Sequence, residues 1–157
     1  MNLRALPLPV GLPGRLWLHS MPGRLEPWAQ FEALAAQAGL SRIVCLTPWD
    51  EIDRLAPAYG RAIHAQPPWH WQHLPMQDFG LHSDAQSYAD GVGQIVAALR
   101  QGESVLLHCA AGIGRTGSTA ACVLKSLGLS ADAALAQVRA AGSNPQSAAQ
   151  SGLLDAF

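Results

Sequence analysis

The sequence predicts one α/β domain with a central, mostly parallel sheet of roughly four or five strands flanked by helices. The chain has 157 residues, of which 49% are hydrophobic and 13% charged, a composition typical of a globular domain with its own core. Short apolar runs alternate with longer segments of helical periodicity, and such alternation is typical of parallel sheets. No repeat or low-complexity run divides the chain, so residues 1–157 are predicted to form a single domain, with 1–13 as an N-terminal extension.

Four short segments have the composition of strands. They are Arg15–His19, Arg42–Leu46, Trp69–Leu74 and Ser104–His108. In the last of them Val105, Leu106 and Leu107 are consecutive, which indicates a strand that is buried on both faces. We therefore expect Ser104–His108 to lie inside the sheet.

Helical periodicity occupies the segments between and after these strands. The predicted helices are Trp28–Gly39, Asp84–Arg100, Thr116–Leu127, a helix capped by Ser130 that runs to about Ala141, and a short final helix ending at Phe157. Ser83 or Asp84 is the expected cap of the second helix, whose Gly91 and Gly93 the sequence does not explain. The late run of helices is expected to cover one face of the sheet.

Charge and hydropathy exclude several classes of function. The formal net charge is −1, so no basic field favours nucleic acid or an anionic membrane as partner. No segment approaches the roughly 20 apolar residues of a membrane-spanning helix. Prolines 7, 9 and 13 interrupt the N-terminal segment, which is therefore not expected to be a signal peptide. Three widely spaced cysteines favour a reducing compartment, and the prediction is cytoplasmic.

The segment 108–117, HCAAGIGRTG, carries the strongest functional signal. A buried strand, a glycine-rich loop and a helix in succession form a cradle for anions, since backbone N–H groups and the helix N-terminus converge there. Nucleotide-binding loops of this architecture need a lysine after the glycines, whereas this loop begins with Cys109 and ends with Arg115. The cradle would stabilise a Cys109 thiolate, which turns the loop from an anion-binding site into a nucleophilic one.

The neighbours of Cys109 suit this chemistry. The planar guanidinium of Arg115 can donate to two phosphoryl oxygens, and the Thr116 hydroxyl can donate to the cysteine sulfur. His108 is expected to brace the loop without transferring protons. The loop backbone would supply N–H donors to the phosphoryl group, and it comprises Ala110, Ala111, Gly112, Ile113 and Gly114.

These ten residues resemble the signature loop of the protein tyrosine and dual-specificity phosphatase superfamily, especially its tyrosine-specific branch. The small size of the chain is similar to that of the dual-specificity branch or of compact prokaryotic members. The resemblance covers the chain from Gly14 onward and implies a phosphotyrosine protein phosphatase-like fold. It also implies hydrolysis through a phosphocysteine intermediate, a phosphorylated protein or peptide substrate, and neither a cofactor nor a metal.

The same resemblance supplies a general acid. Residues 74–80, LPMQDFG, resemble the acid loop of the family, and Asp78 stands 31 positions before Cys109. Asp78 would protonate the leaving oxygen and later activate water. Phe79 and Gly80 are the expected hinge of this loop. Asp84 is a competing acid, but it suits a helix start better.

Several further residues are weaker candidates for the rim of the pocket. Trp49 could stack on an aryl phosphate, His82 could touch substrate, and Gln146 or Gln150 could position the hydrolytic water. Ordinary packing or solvation is the alternative for each.

Cys45 could protect an oxidised nucleophile, but burial as an apolar residue explains it better. The pair His70 and His73 is not expected to bind metal, because residues three apart on a strand point to opposite faces.

The sequence leaves three hypotheses about function open. The uncharged Ala110, Ala111 and Ile113 favour a singly phosphorylated substrate, and phosphotyrosine in proteins is the leading prediction, with phosphoserine and phosphothreonine as further possibilities. A phosphoinositide or small-molecule phosphatase using the same loop is the alternative. A phospho-residue binding module without activity is the third hypothesis, which the presence of cysteine, arginine and aspartate disfavours.

Overall fold

A computed structural model of the protein describes residues 2–78, 82, 84–147, 150 and 152–157. A five-stranded sheet has the order β1-β2-β5-β3-β4. The strands are β1 Arg4–Leu6, β2 Arg15–His19, β3 Arg42–Cys45, β4 His70–His73 and β5 Ser104–His108. The helices are α1 Trp28–Gln37, α2 Trp49–Leu55, α3 Pro57–His64, α4 Ala85–Arg100, α5 Gly114–Ser126 and α6 Ala131–Ala140, followed by a 3₁₀ turn over Leu153–Ala156.

The sheet confirms the predicted α/β class. Strands β2, β5, β3 and β4 are parallel, and each predicted strand agrees with the structure to within one residue at either end. The sequence analysis predicted no strand before Arg15, whereas in the structure Arg4–Leu6 pairs antiparallel with β2 as an edge strand. A three-residue strand followed directly by Pro7 shows too little periodicity to be recognised in the sequence.

The long helices agree with prediction within about two residues, whereas two short ones were not predicted. Asp84 caps α4 by accepting a hydrogen bond from the Gln86 N–H at 3.1 Å, and the alternative cap Ser83 lies outside the described residues. Helices α2 and α3 have only seven and eight residues and follow one another directly. Pro48 precedes the first, and Pro57 is the first residue of the second, where the fixed φ of proline suits the start of a helix.

Two apolar cores lie on opposite faces of the sheet. Along β5, Val105 and Leu107 join the core under α4, α5 and α6, whereas Leu106 joins the core under α1 and α3. The expected cover of one face by the late helices is therefore confirmed. Every parallel strand ends at the same edge, and this edge positions the site described below.

Gly91 has a packing role that the sequence did not reveal. A Cβ atom at this position would lie 2.5 Å from Leu74 Cδ1, so glycine lets α4 approach the end of β4 without displacing the Leu74 side chain. Gln72 fixes the contact by donating from Nε2 to the Gly91 carbonyl at 3.0 Å. A Cβ at Gly93 would meet no atom within 4 Å, and the structure gives no reason for that glycine.

Candidate active site

The site lies where β5 ends between its two neighbours. His108, the last residue of β5, is in register with His19 of β2 on one side and Cys45 of β3 on the other. Residues 109–113 turn tightly into α5, which begins at Gly114. Cys109 thus stands at the centre of the carboxyl edge of the sheet, beside the first turn of α5.

The Cys109 sulfur accepts hydrogen bonds from two groups of the loop and helix. The Gly112 N–H donates to Sγ at 3.2 Å, and the Thr116 hydroxyl donates at 3.1 Å. Both bonds favour the negatively charged form of the sulfur, and the second is the contact that the sequence analysis expected of Thr116. Only 2% of the residue's surface is exposed, so reagents reach the sulfur through the cavity described below.

His108 is held as a neutral ring by a chain of hydrogen bonds. Its Nδ1 lies 2.8 Å from the Cys109 carbonyl oxygen, which can only accept, so Nδ1 carries the proton. Nε2 then accepts from the Tyr59 hydroxyl at 2.7 Å, and Tyr59 in turn accepts from Trp71 Nε1 at 2.9 Å. Complete burial lowers the pKa of His108 to about 3, so the ring stays neutral at physiological pH. These contacts suit a bracing residue.

Arg115 forms a buried, two-pronged ion pair that the sequence analysis missed. Its Nη1 and Nη2 donate to the two carboxylate oxygens of Glu51 at 2.8 and 2.9 Å, and Nη1 also donates to the Met76 carbonyl at 2.9 Å. Burial alone would lower the pKa of Arg115, but the Glu51 hydrogen bonds and the charges of Cys109, Glu51 and Asp78 raise it. The pair fixes the plane of the guanidinium beside the 109–115 loop.

Asp78 reaches the same place from the segment after β4. Its Oδ1 lies 3.5 Å from Arg115 Nη2, and its side chain is 62% exposed. A cavity of about 340 Å³ brings together Cys109, Arg115 and Asp78. Its other lining residues are Arg24, Glu51, Arg54, Leu55, Ala110, Ala111, Gly114 and Gln146. The predicted hinge residues Phe79 and Gly80 lie outside the described residues.

Comparison with known proteins supports the family that the loop suggests. The family model described as PTP-SAK, "Swiss Army Knife protein, DSP-PTPase phosphatase domain", matches residues 12–152. The chain belongs to this family. It is accordingly a phosphatase domain, and its enzyme class is hydrolase.

Solved structures similar to this PTP-SAK domain share its fold. A kinase-associated phosphatase with its catalytic-site cysteine replaced by serine has a TM-score of 0.85 at 21% identity, covering 98% of this chain and 92% of that one. Tk-PTP in its active form has a TM-score of 0.71 at 23% identity, covering 98% and 95%. PTPMT1 in complex with PI(5)P has a TM-score of 0.71 at 17% identity, covering 90% and 88%.

Of the two positions that the sequence left open for Trp49, this PTP-SAK domain shows ordinary packing and not the rim of the cavity. Its ring stacks on His64 at 5.1 Å and contacts Trp71 and His73, so it packs away from the cavity. Residues two apart on a helix point about 200° apart, so Trp49 and Glu51 of α2 face opposite sides. Glu51, Arg54 and Leu55 share the face that lines the cavity. Helical spacing would have revealed them had the sequence shown that this segment is a helix.

The remaining rim candidates of the PTP-SAK domain divide into two groups. Gln146 lines the cavity, and buried Gln150 accepts from the Gln146 N–H at 3.0 Å. A Cβ on Gly114 would lie 2.8 Å from Gln146 Oε1 and 3.0 Å from Gln150 Oε1, so both amides lie against the start of α5. His82 instead accepts from the Asp84 N–H at 2.9 Å, next to the start of α4.

The other two cysteines of the PTP-SAK domain are structural in character. Cys45 is in the core under α1 and α3, on the opposite sheet face from the core that includes Cys109. Burial raises the pKa of Cys45 to about 11 and that of Cys122 to about 12, so both stay protonated at neutral pH.

The described residues contain neither a membrane-spanning helix nor a cluster of metal ligands. Within the described ranges no helix is long and apolar enough to cross a membrane. The same part of the chain holds no group of three or more histidine, cysteine, aspartate or glutamate side chains placed to bind a metal ion.

Proposed function

We propose that the protein hydrolyses phosphomonoesters in two steps through a phosphocysteine on Cys109. In the first step the Cys109 thiolate attacks phosphorus, the bond from phosphorus to the ester oxygen breaks, and Asp78 gives its proton to that oxygen. In the second step Asp78 takes a proton from water, the resulting nucleophile attacks phosphorus, and the sulfur–phosphorus bond breaks. Phosphate and the free thiolate are then released.

One observation carries this proposal. Cys109 and Arg115 come from one loop and Asp78 from the separate segment after β4, and all three line one cavity of about 340 Å³. This reaction needs a thiolate nucleophile, a cation for the phosphoryl oxygens and a carboxyl group for the leaving oxygen. A binding module without activity needs only the cation and the loop. The hydrolytic function therefore accounts for more of the site.

We propose phosphotyrosine in proteins as the leading substrate, with phosphoserine and phosphothreonine in second place. Because the side chains of Ala110 and Ala111 at the cavity wall are neutral, they offer no cation to a second phosphoryl group, and the loop would bind only one. Among the described lining residues no side chain is aromatic, so the phenyl ring would lie against Leu55 and the planar guanidinium groups of Arg24 and Arg54.

Rapid acid quenching tests the covalent step. Mixing the wild-type enzyme with a ³²P-labelled phosphotyrosine peptide is expected to leave up to one phosphate per chain on the proteolytic peptide that contains Cys109. The label should form before phosphate release reaches its steady rate. Phosphate release with no trapped label, or label on a histidine or carboxylate, would contradict the mechanism.

A second candidate substrate class rests on the mouth of the cavity. Arg24, in the segment after β2, and Arg54 of α2 are both exposed there, and neither forms an ion pair with another described residue. Glu51 already neutralises Arg115, so these two cations are available to a second anionic group on the substrate. The complex of the structurally similar PTPMT1 with PI(5)P is consistent with a phosphoinositide or a small molecule bearing such a group.

Substitutions that remove the positive charges of Arg24 and Arg54 distinguish the two substrate classes. If the second anionic group is bound there, Arg24→Gln and Arg54→Gln should each raise KM for an inositol bisphosphate about threefold to tenfold. KM for phenyl phosphate should change less than twofold, because that substrate has no second anion. Arg100→Gln on α4 is the matched control. Equal effects on both substrates would overturn the second candidate and favour stacking on an aryl ring.

We propose the cytoplasm as the compartment. All three cysteines are free thiols, and a thiolate nucleophile has to stay reduced.

A further inference from the structure

Arg4 of β1 contacts the 109–115 loop but is not among the residues that line the cavity. Its Nη2 donates to the Gly112 carbonyl oxygen at 2.6 Å, across 108 residues of chain. Its Nη1 donates to the Ala141 carbonyl at 2.8 Å and to Ser143 Oγ at 2.9 Å. The edge strand that the sequence did not predict is thus connected directly to the loop that holds the nucleophile.

The Gly112 carbonyl receives a second donor at the same point. Ser143 Oγ, which is buried, donates to it at 2.6 Å. Gly112 has a φ of +77°, and a Cβ there would lie 2.5 Å from the His19 carbonyl oxygen, so only glycine fits this turn. The peptide after Gly112 is trans, and a planar trans peptide directs C=O and N–H oppositely. Holding the carbonyl outward therefore turns the Ile113 N–H toward the inside of the loop.

The other carbonyls of the loop are held in a comparable way. The Met21 N–H donates to the Ala110 carbonyl at 3.1 Å, and His108 donates to the Cys109 carbonyl. Those donors are backbone or neutral groups, whereas Arg4 brings a positive charge. Burial lowers the pKa of Arg4, and the negative charge of Cys109 raises it, so the guanidinium and the thiolate attract each other.

We propose that Arg4 is a positioning residue of the 109–115 loop. It orients the Ile113 N–H toward the phosphoryl oxygens, and its charge stabilises the Cys109 thiolate. The inference rests on the proposed function, because it takes a phosphoryl group as the ligand of the loop. The competing explanation is purely structural: Arg4 would only attach β1 to the segment after α6.

Three variants separate orientation, charge and simple stability. Arg4→Met removes both the donor and the charge, Arg4→Lys keeps the charge, and Ser143→Ala removes one donor to Gly112 while keeping the charge. Arg15→Met on β2, an exposed residue away from the loop, is the matched control. Each variant is compared with the wild type in its circular dichroism spectrum, the affinity for inorganic phosphate, kcat and KM on phenyl phosphate, and the pH profile of Cys109 alkylation by iodoacetamide.

We expect Arg4→Met to weaken phosphate binding and to lower kcat/KM by about tenfold, the effect of one charge-assisted hydrogen bond. The midpoint of Cys109 alkylation should move to higher pH by about half a unit, since one nearby positive charge is lost. Peptide mapping assigns the label to Cys109, and the raised pKa values of Cys45 and Cys122 leave these thiols unreactive in the same range. Arg4→Lys should keep the wild-type midpoint, and Ser143→Ala should weaken phosphate binding without moving it.

The charged groups that face Cys109 define what the pH profile can report. They are Arg115 from α5, Asp78 after β4, Arg4 from β1, Glu51 and Arg54 from α2, and Arg24 after β2, while His108 is neutral. A lower melting temperature of Arg4→Met with unchanged phosphate affinity and alkylation midpoint would overturn the proposal in favour of the structural explanation. Phosphate binding and alkylation need no turnover. A wild type that binds phosphate but hydrolyses no ester would therefore contradict the proposed function and leave the test of Arg4 intact.

Discussion

The Cys109→Ser variant is expected to lose phosphatase activity by at least about 10⁴-fold in kcat on aryl phosphates. A serine hydroxyl is not ionised at neutral pH, so it cannot exploit the two hydrogen bonds that the Gly112 N–H and the Thr116 hydroxyl give to the sulfur. Within the described ranges no other thiol can replace it as nucleophile, because Cys45 and Cys122 are buried and protonated. The measurement is steady-state release of p-nitrophenol.

The Cys109→Ser variant should still fold and bind the anion. The oxygen is smaller than the sulfur that it replaces, and the loop carbonyls keep the donors that hold them. Inorganic phosphate should therefore bind with an affinity within about tenfold of the wild type, a difference of about 1.4 kcal/mol. Cys122→Ala on α5 is the matched control: it should lose some stability through a small cavity but keep its turnover. Turnover by Cys109→Ser equal to that of the wild type would remove Cys109 from the mechanism.

The nucleophile and its loop could be predicted from the sequence because their determinants are local. The buried run of β5, the glycines of the loop and the start of α5 are contiguous, so the sequence places Cys109, Arg115 and Thr116 together without knowledge of the tertiary fold. Asp78 was predicted only through the resemblance to a family. Its approach to within 3.5 Å of Arg115 depends on the parallel packing of β4 beside β3.

Glu51 and Arg4 could not be predicted because their partners are distant in sequence. Glu51 is 64 residues from Arg115, and it lies on a seven-residue helix too short to show an amphipathic period. Arg4 is on a three-residue strand that Pro7 follows directly, it contacts a backbone carbonyl, and the sequence carries no pattern for such a contact. The same limit applies to Trp49, because the sequence of a seven-residue helix does not show which of its side chains share a face.

The Glu51–Arg115 pair leads to the second prediction with a large effect: Arg115→Lys should lower kcat/KM by about 10³-fold. A guanidinium has five N–H donors, and three of them are directed at Glu51 and the Met76 carbonyl. Two donors remain for phosphoryl oxygens. A lysine has three donors from a single atom, so it cannot hold both Glu51 oxygens and also bind two phosphoryl oxygens.

Glu51→Gln tests whether the pair acts as a unit. Glutamine keeps the shape of the side chain but removes the charge that compensates a guanidinium whose side chain is 2% exposed. We expect the free energy of unfolding in urea to fall by about 2–3 kcal/mol, because a buried cation is left without its counter-charge. The kcat should fall by about 10-fold to 100-fold as the guanidinium plane loses its two-pronged partner.

The double variant Arg115→Lys/Glu51→Gln decides between a shared role and two separate ones. If Glu51 acts by orienting Arg115, the kcat/KM of the double variant should be close to that of Arg115→Lys alone, because no guanidinium is left to orient. If Glu51 acts on its own, for example as an acid, the two losses should multiply to about 10⁴-fold or more. Multiplicative losses would make Glu51 a catalytic group in its own right and would reduce Asp78 to one of two acids. Our structure favours the shared role, since both Glu51 oxygens are already engaged by the guanidinium that they orient.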